Sequence, residues 1–470
     1  MAAMAALVTP AIADFKYLEH QVEGIQWMME REMEGALWCR GGILGDDMGL
    51  GKTWQTIGLL LNQPVAATLI VAPPVLIAQW SAALTQSGIR VRQLQGRKWT
   101  ATAASVTLCS YGAVKSRGVE LQQLRWDRII LDEGQYIRNR KTARFRSCDA
   151  LTGERRWILS GTPVQNTAGD FKSLALWLHC DPDVLKRGQL SAVAANIIKR
   201  RSITLLSAQL PGAPTHVAHK LEFAGAAEES KFRALVGAVE DAIERQIGGM
   251  LILERYLRLQ QFISHPQIYV DAMQRKFMGG YGGSDWTGTA TKLEKFKELI
   301  ADATEPTLVF CHFKQEMDLL AAEAMALDYN VAFVRGGLAE KARSAEIAAT
   351  VASAAAGKPT VLFCQIGAGN CGLNLQHLTR VIFYTQHWNP SVIDQALARS
   401  YRYGQTKPVT IHHIVLGSGA TLNIDRLMLA KHGLKRKTAI ELLPSLEFAY
   451  HPEISIEETV EETVEDPTKV

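Results

Sequence analysis

The residues with the clearest chemical potential stand in Gly42–Thr53, which reads G-I-L-G-D-D-M-G-L-G-K-T. A short apolar run, Ile43 and Leu44, enters a glycine-rich turn; Lys52, Thr53 and a helically spaced Ile57, Leu60 and Leu61 leave it. Strand, loop and helix in that order is the grammar of a loop that cradles polyphosphate. Gly49 and Gly51 let backbone N–H groups close on an anion, because a Cβ would block the approach or forbid the dihedrals. The positive end of the following helix adds to the attraction. In such a loop Asp46, Asp47, Met48, Gly49, Leu50 and Gly51 wrap the nucleotide. Lys52 then neutralises the β- and γ-phosphates, and the Thr53 hydroxyl ligates Mg²⁺. One departure is Asp46, which stands where a G-x-x-x-x-G-K-T pattern has its first glycine. The plainer alternative is a glycine turn with a chance G-K-T, so partners elsewhere in the chain must decide.

An acidic pair, Asp132 and Glu133, closes the apolar run W-D-R-I-I-L-D-E-G-Q. A carboxylate at a strand end can hold Mg²⁺ through its water shell, and its neighbour can orient or deprotonate an attacking water. Acids also mark where any strand meets solvent; it is the pairing with Lys52 that makes the signal specific. Ser160-Gly161-Thr162-Pro163 ends another apolar run, and its hydroxyls either relay the state of the γ-phosphate site or form an ordinary turn. In Q-A-L-A-R-S-Y-R-Y-G-Q, Arg399 and Arg402 are i, i+3, so on a helix they face one way, beside Gln395. Guanidinium forks suit a transferring phosphate, though an R-x-x-R is as readily a solvated helix face. Gln21, on a helically spaced stretch just before the loop, has an amide able to read an adenine edge. Arg138, Arg140, Lys141, Arg144 and Arg146 form either a set of phosphate contacts or a solvated basic loop.

These residues need elements to hold them. Short β-rich runs at 43–44, 67–72, 106–109, 128–131 and 157–160 alternate with helical or loop segments. Such alternation predicts a doubly wound parallel sheet with ligands at the strands' carboxyl ends. From 169 to 278 the strand rhythm gives way to helical spacing, interrupted by the basic run Lys199-Arg200-Arg201; Gly279–Ser284 then reads as a hinge or a plain flexible loop. A second set of five strands follows at 307–311, 331–334, 360–364, 380–384 and 409–415, without a G-K-T. The expected organisation is an α/β chain of two similar lobes: 1–206, a helical insertion and hinge at 207–285, a second lobe at 286–435, and a brace segment with acidic tail at 436–470. Lys431, Lys435, Arg436 and Lys437 mark the final basic stretch.

Composition agrees with a globular chain: 47% hydrophobic and 21% charged. The net charge of +4 conceals an asymmetry, because 451–470 hold seven acids and one lysine, leaving 50 basic against 40 acidic residues on the rest. A basic body suits a polyanionic partner, and the tail, poor in aromatics, reads as disordered. The seven cysteines lie singly, with neither zinc-ligand nor disulfide-framework spacing, which predicts a reducing compartment. The amino terminus lacks a secretory leader's basic start, and no stretch is long and apolar enough to span a bilayer. An intracellular location is expected, nuclear in a eukaryote and otherwise cytoplasm or nucleoid.

In order, H-Q-V-E-G (20–24), D-D-M-G-L-G-K-T (46–53), I-V-A-P-P (70–74), L-D-E-G-Q (131–135), L-S-G-T-P-V-Q-N (159–166), H-W-N-P (387–390) and R-S-Y-R-Y-G-Q-T (399–406) make a specific set. The chain resembles the Swi/Snf-type ATPases of helicase superfamily two, the double-stranded DNA translocases related to chromatin remodellers. The resemblance implies two RecA-like lobes with ATP and Mg²⁺ between them. Lys52, Thr53, Asp132 and Glu133 would come from one side, Arg399 and Arg402 would reach across, and Gln21 would sit at adenine. It places DNA contacts near Pro74, Ser110, Tyr111, Gly369 and Asn374, and coupling at Gln135, Ser160, Thr162 and Gln395. Gln135 replaces the usual histidine, Gly367 a usual basic residue and Asn370 a usual glycine. The activity implied is ATP-driven translocation on duplex DNA by a monomeric motor that remodels or displaces bound protein, nucleosomes among the candidates. Strand separation is the second reading and a catalytically silent DNA-binding scaffold the third.

Overall fold

The computed structural model describes residues 7–34, 39–94, 105–164, 167–186, 190–246, 248–276, 285–301, 303, 305–369, 375–416, 424–425 and 428. They fall into two compact units. The first extends to Leu210 and takes in Arg402–Gly404; the second begins at Pro211.

In the first unit, β1 (Arg40–Leu44), β2 (Thr68–Ala72), β3 (Val91–Gln93), β4 (Val106–Ser110), β5 (Trp126–Asp132), β6 (Gly153–Leu159) and β7 (Ile198–Lys199) form one parallel sheet, ordered β3-β4-β2-β5-β6-β1-β7. Side chains alternate between its faces. Ile43, Leu69, Val71, Ile129, Leu131 and Ile158 enter one core, and Leu44, Ile70, Ala72, Ile130, Trp157 and Leu159 the other. Burial on both faces is why these strands read as continuous apolar runs.

The second unit repeats the plan. Its strands β8 (Thr215–Leu221), β9 (Thr307–Cys311), β10 (Asn330–Val334), β11 (Thr360–Gln365), β12 (Arg380–Phe383) and β13 (Thr410–Leu416) form a parallel sheet ordered β10-β11-β9-β12-β13-β8. Helices Ala226–Glu244, Gly249–Ser264 and Pro266–Lys276 pack around a separate core that includes Phe232, Leu259 and Phe262. The expected pair of doubly wound sheets is present, with strands beyond the five expected in each. The short β3 was not expected, and β7 and β8 lie in the stretch read as purely helical. The glycine run 279–284, the basic stretch 431–437 and the tail 451–470 lie outside the described residues.

Parallel register brings the chemistry to one edge of the first sheet. Leu44 of β1 pairs with Leu159 of β6, and Leu159 pairs with Asp132 of β5. Gly45, Ser160 and Glu133 therefore leave adjacent strands at the same level.

Candidate nucleotide site

The loop after β1 turns through Gly49 (φ +91°) and Gly51 (φ +80°) before helix α2 (Lys52–Asn62) begins. The left-handed φ of Gly51 is one that side-chain-bearing residues rarely adopt, and a Cβ there would also have to displace the Gln21 amide, whose Nε2 would lie 2.4 Å away. Gly51 sits left-handed at the helix N-cap and no side chain caps the helix. The first-turn amides thus present a donor cradle suited to phosphate. Lys52 Nζ donates to the carbonyls of Asp46 (2.5 Å) and Asp47 (3.2 Å). Burial lowers the lysine pKa, opposed first by Glu133 and then by Asp46, Asp47 and Asp132. Met48 and Thr53 are half-buried on either side of the turn.

Helix α1 (Glu19–Glu34) supplies the neighbouring wall. Its far end is held to the sheet by buried Glu32, which pairs with Arg128 (2.5 Å) and accepts from Trp157 Nε1 (2.8 Å). At its near end His20 Nε2 (2.9 Å) and Gln21 Nε2 (3.3 Å) both reach Leu50 O, while Gln21 Oε1 accepts from Leu18 N (3.1 Å). A carbonyl cannot donate, so His20 carries its proton on Nε2.

At the end of β5, Asp132 is clamped from several sides. Trp80 Nε1 donates to Oδ2 (2.7 Å), Glu133 N to Oδ1 (2.9 Å) and Tyr111 Oη to the main-chain carbonyl (2.8 Å). Burial, reinforced by the Glu133 charge, lifts its pKa to about 7 against the pull of Trp80 and Lys52. Glu133 has φ +51°, a left-handed kink that costs a non-glycine residue about 1 kcal/mol or more. Gln135 lies in the 3₁₀ turn Gly134–Ile137 that follows. Its Nε2 donates to Glu133 Oε2 (2.5 Å), and its Oε1 accepts from Ser160 Oγ (2.7 Å). Ser160 Oγ in turn accepts from Thr162 N (3.2 Å), so Glu133, Gln135, Ser160 and Thr162 form one hydrogen-bonded line.

The loop beyond carries the exposed Arg140 and Lys141, while the exposed Arg144 and Arg146 lie on the helix Ala143–Asp149 that follows, so the stretch read as a basic loop is part helix. Arg144 lies over the Tyr136 ring (5.0 Å), which stacks on Tyr111 (5.3 Å). Tyr111, expected as a DNA contact, is only 4% exposed and braces the Asp132 backbone instead. Burial in the core raises its phenol pKa well above the ordinary value. Ser110 caps the helix Tyr111–Ser116, accepting from Ala113 N (3.1 Å), while Pro74 is exposed just past β2.

In the second unit Gln395 is buried on helix Pro390–Leu397. Arg399 and Arg402 do not share that helix, which ends at Leu397; this corrects the expectation of one helical face. Gln405 is the physical reason, since its Nε2 donates to Ser400 O and Gln376 O (both 2.8 Å) and stabilises a turn in place of further helix. Gly404 then passes at φ +89°. Gly369 ends the short helix Ile366–Gly369; Asn370 and Asn374 lie outside the described residues, as do Gln165 and Asn166.

Sequence reasoning missed His20, Trp80, Arg200 and Arg201. The H-Q doublet was a usable signal for the first. Trp80 reads as core, and nothing local marks the arginines' partners. Among the described residues no cluster of three or more His, Cys, Asp or Glu could hold a metal, and no helix is long and apolar enough to cross a membrane.

Residues 20–189 match the SNF2-related domain, and residues 291–404 the Helicase conserved C-terminal domain. The chain is 27% identical to a "Probable global transactivator" of Orgyia pseudotsugata multicapsid polyhedrosis virus, covering 89% of each. It is 28% identical to the "Putative ATP-dependent helicase/translocase YwqA" of Bacillus subtilis, covering 88% of this chain and 48% of that one. It is 23% identical to the "ISWI chromatin-remodeling complex ATPase ISW2" of Saccharomyces cerevisiae, over 90% and 42% respectively. The chain thus spans most of the viral relative and under half of the other two. Among solved structures it is similar to the Sulfolobus solfataricus SWI2/SNF2 ATPase core in complex with dsDNA, at 24% identity and TM-score 0.42, covering 95% of this chain and 100% of that one.

Proposed function

Because the chain belongs to the SNF2-type ATPases of helicase superfamily two, we propose that it hydrolyses ATP to translocate on double-stranded DNA and displaces or remodels protein bound there. The observation that carries the reading is the continuous line from Glu133 through Gln135 and Ser160 to Thr162, starting beside Lys52. It gives hydrolysis a route out of the site. In this reading the loop amides and Lys52 bind the triphosphate and Gln21 lies at adenine. Thr53 and Asp132 hold Mg²⁺, which when bound spreads the charge of the β- and γ-phosphates. Glu133 orients the attacking water and takes its proton, while Gln135 holds that carboxylate in place. Arg399 and Arg402 supply cationic charge to the transferring phosphate, and Gln395 serves the coupling.

Arg140 and Lys141 offer charge to a phosphate backbone without reading bases, as a motor moving over any sequence requires. Pro74, Ser110, Gly369 and Asn374 are proposed as further DNA contacts. The working species is a monomeric intracellular motor, and nucleosomes are among its protein-bound substrates.

Phosphate release measured with duplex, single-stranded DNA, RNA and nucleosomes, beside triplex displacement, tests the proposal. Duplex should stimulate most, and a third strand should be displaced while plain duplex stays paired. Lys52→Ala and Glu133→Gln should abolish turnover with duplex binding retained. Separation of plain duplex would favour a strand-separating helicase, and absence of duplex stimulation would favour a silent scaffold.

A further inference from the structure

The basic run Lys199-Arg200-Arg201 reads as linker charge, yet its two arginines are spent inside the nucleotide site. Its backbone is zipped to the phosphate loop, with Gly45 N donating to Lys199 O (2.7 Å) and Asp47 N to Arg201 O (2.9 Å). Arg201 forks onto the fully buried Asp46, Nε to Oδ1 (3.0 Å) and Nη2 to Oδ2 (2.6 Å). The same guanidinium donates to Gln55 Oε1 of α2 (2.8 Å) and to His20 O of α1. Arg200 donates from Nη2 to Asp47 Oδ1 (2.6 Å), and from Nη1 to Gly161 O (2.6 Å) and Gly45 O (3.3 Å). Ile203 N completes the hold on Asp47, at 3.1 Å from Oδ2.

We infer that Arg200 and Arg201 are positioning residues of the ATPase site, pinning α1, the phosphate loop, α2 and the Ser160–Pro163 turn into one rigid frame. Two physical arguments carry this. The carboxylates of Asp46 and Asp47 meet the arginines while the carbonyls of the same two residues meet Lys52 Nζ, so displacing either aspartate displaces the lysine's support. Two aspartates in a loop that must receive a triphosphate would also repel it. Paired with guanidiniums, by a fork at Asp46 and a single bond at Asp47, they are neutralised, which is how the loop tolerates Asp46 where a glycine is usual. The inference rests on the ATPase reading but goes beyond it, because it gives the two arginines a role exerted through Asp46, Asp47 and Gln55.

Arg200→Lys and Arg201→Lys keep the cation and lose the guanidinium's several fixed donors, so they separate placement from charge. Three quantities should be measured: binding of a fluorescent ATP analogue, duplex-stimulated turnover per folded molecule, and melting temperature. Each variant should bind nucleotide roughly tenfold or more weakly, with duplex affinity unchanged. Since breaking a buried pair can unfold a protein, the pair Arg200→Gln and Asp47→Asn is measured singly and together. The double variant should recover a large part of the nucleotide affinity lost by Arg200→Gln. Nucleotide affinity within about twofold of the unmodified chain in both folded lysine variants would overturn the inference, as would strictly additive losses in the cycle. An unmodified chain that fails to bind the analogue would instead overturn the ATPase reading.

Discussion

Gln135 stands between an acid and a hydroxyl, and its amide does two opposite things at once: it donates to Glu133 and accepts from Ser160. A neutral imidazole can do the same with its two nitrogens, whereas an imidazolium can only donate. Glutamine therefore holds the line from Glu133 to Thr162 without titrating. This leads to a prediction about the single residue. Gln135→His should keep duplex stimulation at pH 8 and lose it as pH falls through about 6.5, because the protonated ring can no longer accept from Ser160. The parent's stimulation should lack that step. Parallel pH profiles of basal and duplex-stimulated hydrolysis check this, and identical profiles for the two proteins would remove Gln135 from the coupling line. Trp80 contributes at the same scale, fixing the Asp132 carboxylate from a helix whose sequence announces only apolar burial.

Among elements, the central strands were legible because burial on both faces demands unbroken apolar runs, as in Leu69–Ala72 and Ile129–Leu131. The phosphate loop and the acidic pair were legible because their chemistry is local. β8 was not: Thr-His-Val-Ala-His-Lys-Leu is a half-exposed edge strand whose partners lie almost two hundred residues away. The arginine pins were hidden for the same reason, since Asp46 and Arg201 meet only in the folded chain. Arg399 and Arg402 misled because i, i+3 spacing cannot foresee a helix stopped by Gln405. β8 pairs with β13 along its whole length, Thr215 opposite Thr410 through Leu221 opposite Leu416, and histidines meet across the pair. His216 stacks on His413 (5.4 Å) and His219 on His412 (5.3 Å), with the His219 Nε2···His412 Nδ1 contact at 3.0 Å. Burial pushes His412 from 6.5 down to about 4, helped by Arg380, His219 and Lys295; His219 is lowered by burial, Lys295 and Arg380, with Glu298 opposing. The folded state thus keeps a neutral ring that the unfolded chain would protonate. Its stabilising contribution is complete above 6.5 and lost as pH falls towards 4. The β8–β13 pairing should weaken over that window by on the order of 1–3 kcal/mol, and His412→Gln should flatten the loss. Hydrogen exchange of residues 215–221 between pH 8 and 4 measures it; equal pH slopes in the two proteins would count against the account.

Across the whole molecule, the split between a basic body and an acidic tail makes the proposed binding to DNA testable through its salt dependence. Excluding 451–470, 50 basic residues face 40 acidic ones, and Arg140, Lys141, Arg144 and Arg146 concentrate exposed charge just past the Glu133 turn. Binding driven by such charge proceeds through release of counterions from DNA, so its logarithm falls linearly with the logarithm of salt concentration. The slope counts phosphates neutralised, and a motor that reads backbone rather than bases should show the same slope on unrelated sequences. The half-saturating duplex concentration for ATPase stimulation should therefore rise steeply between about 50 and 200 mM salt. Arg140→Ala and Lys141→Ala should each reduce that slope by about one while leaving basal hydrolysis unchanged, because neither side chain belongs to the nucleotide site. Duplexes of contrasting composition serve as the sequence control. If the two variants weaken binding without changing the slope, these residues shape the loop and the phosphate path runs elsewhere. If the slope depends on sequence, base edges are being read, and movement over arbitrary DNA by backbone contacts alone no longer follows.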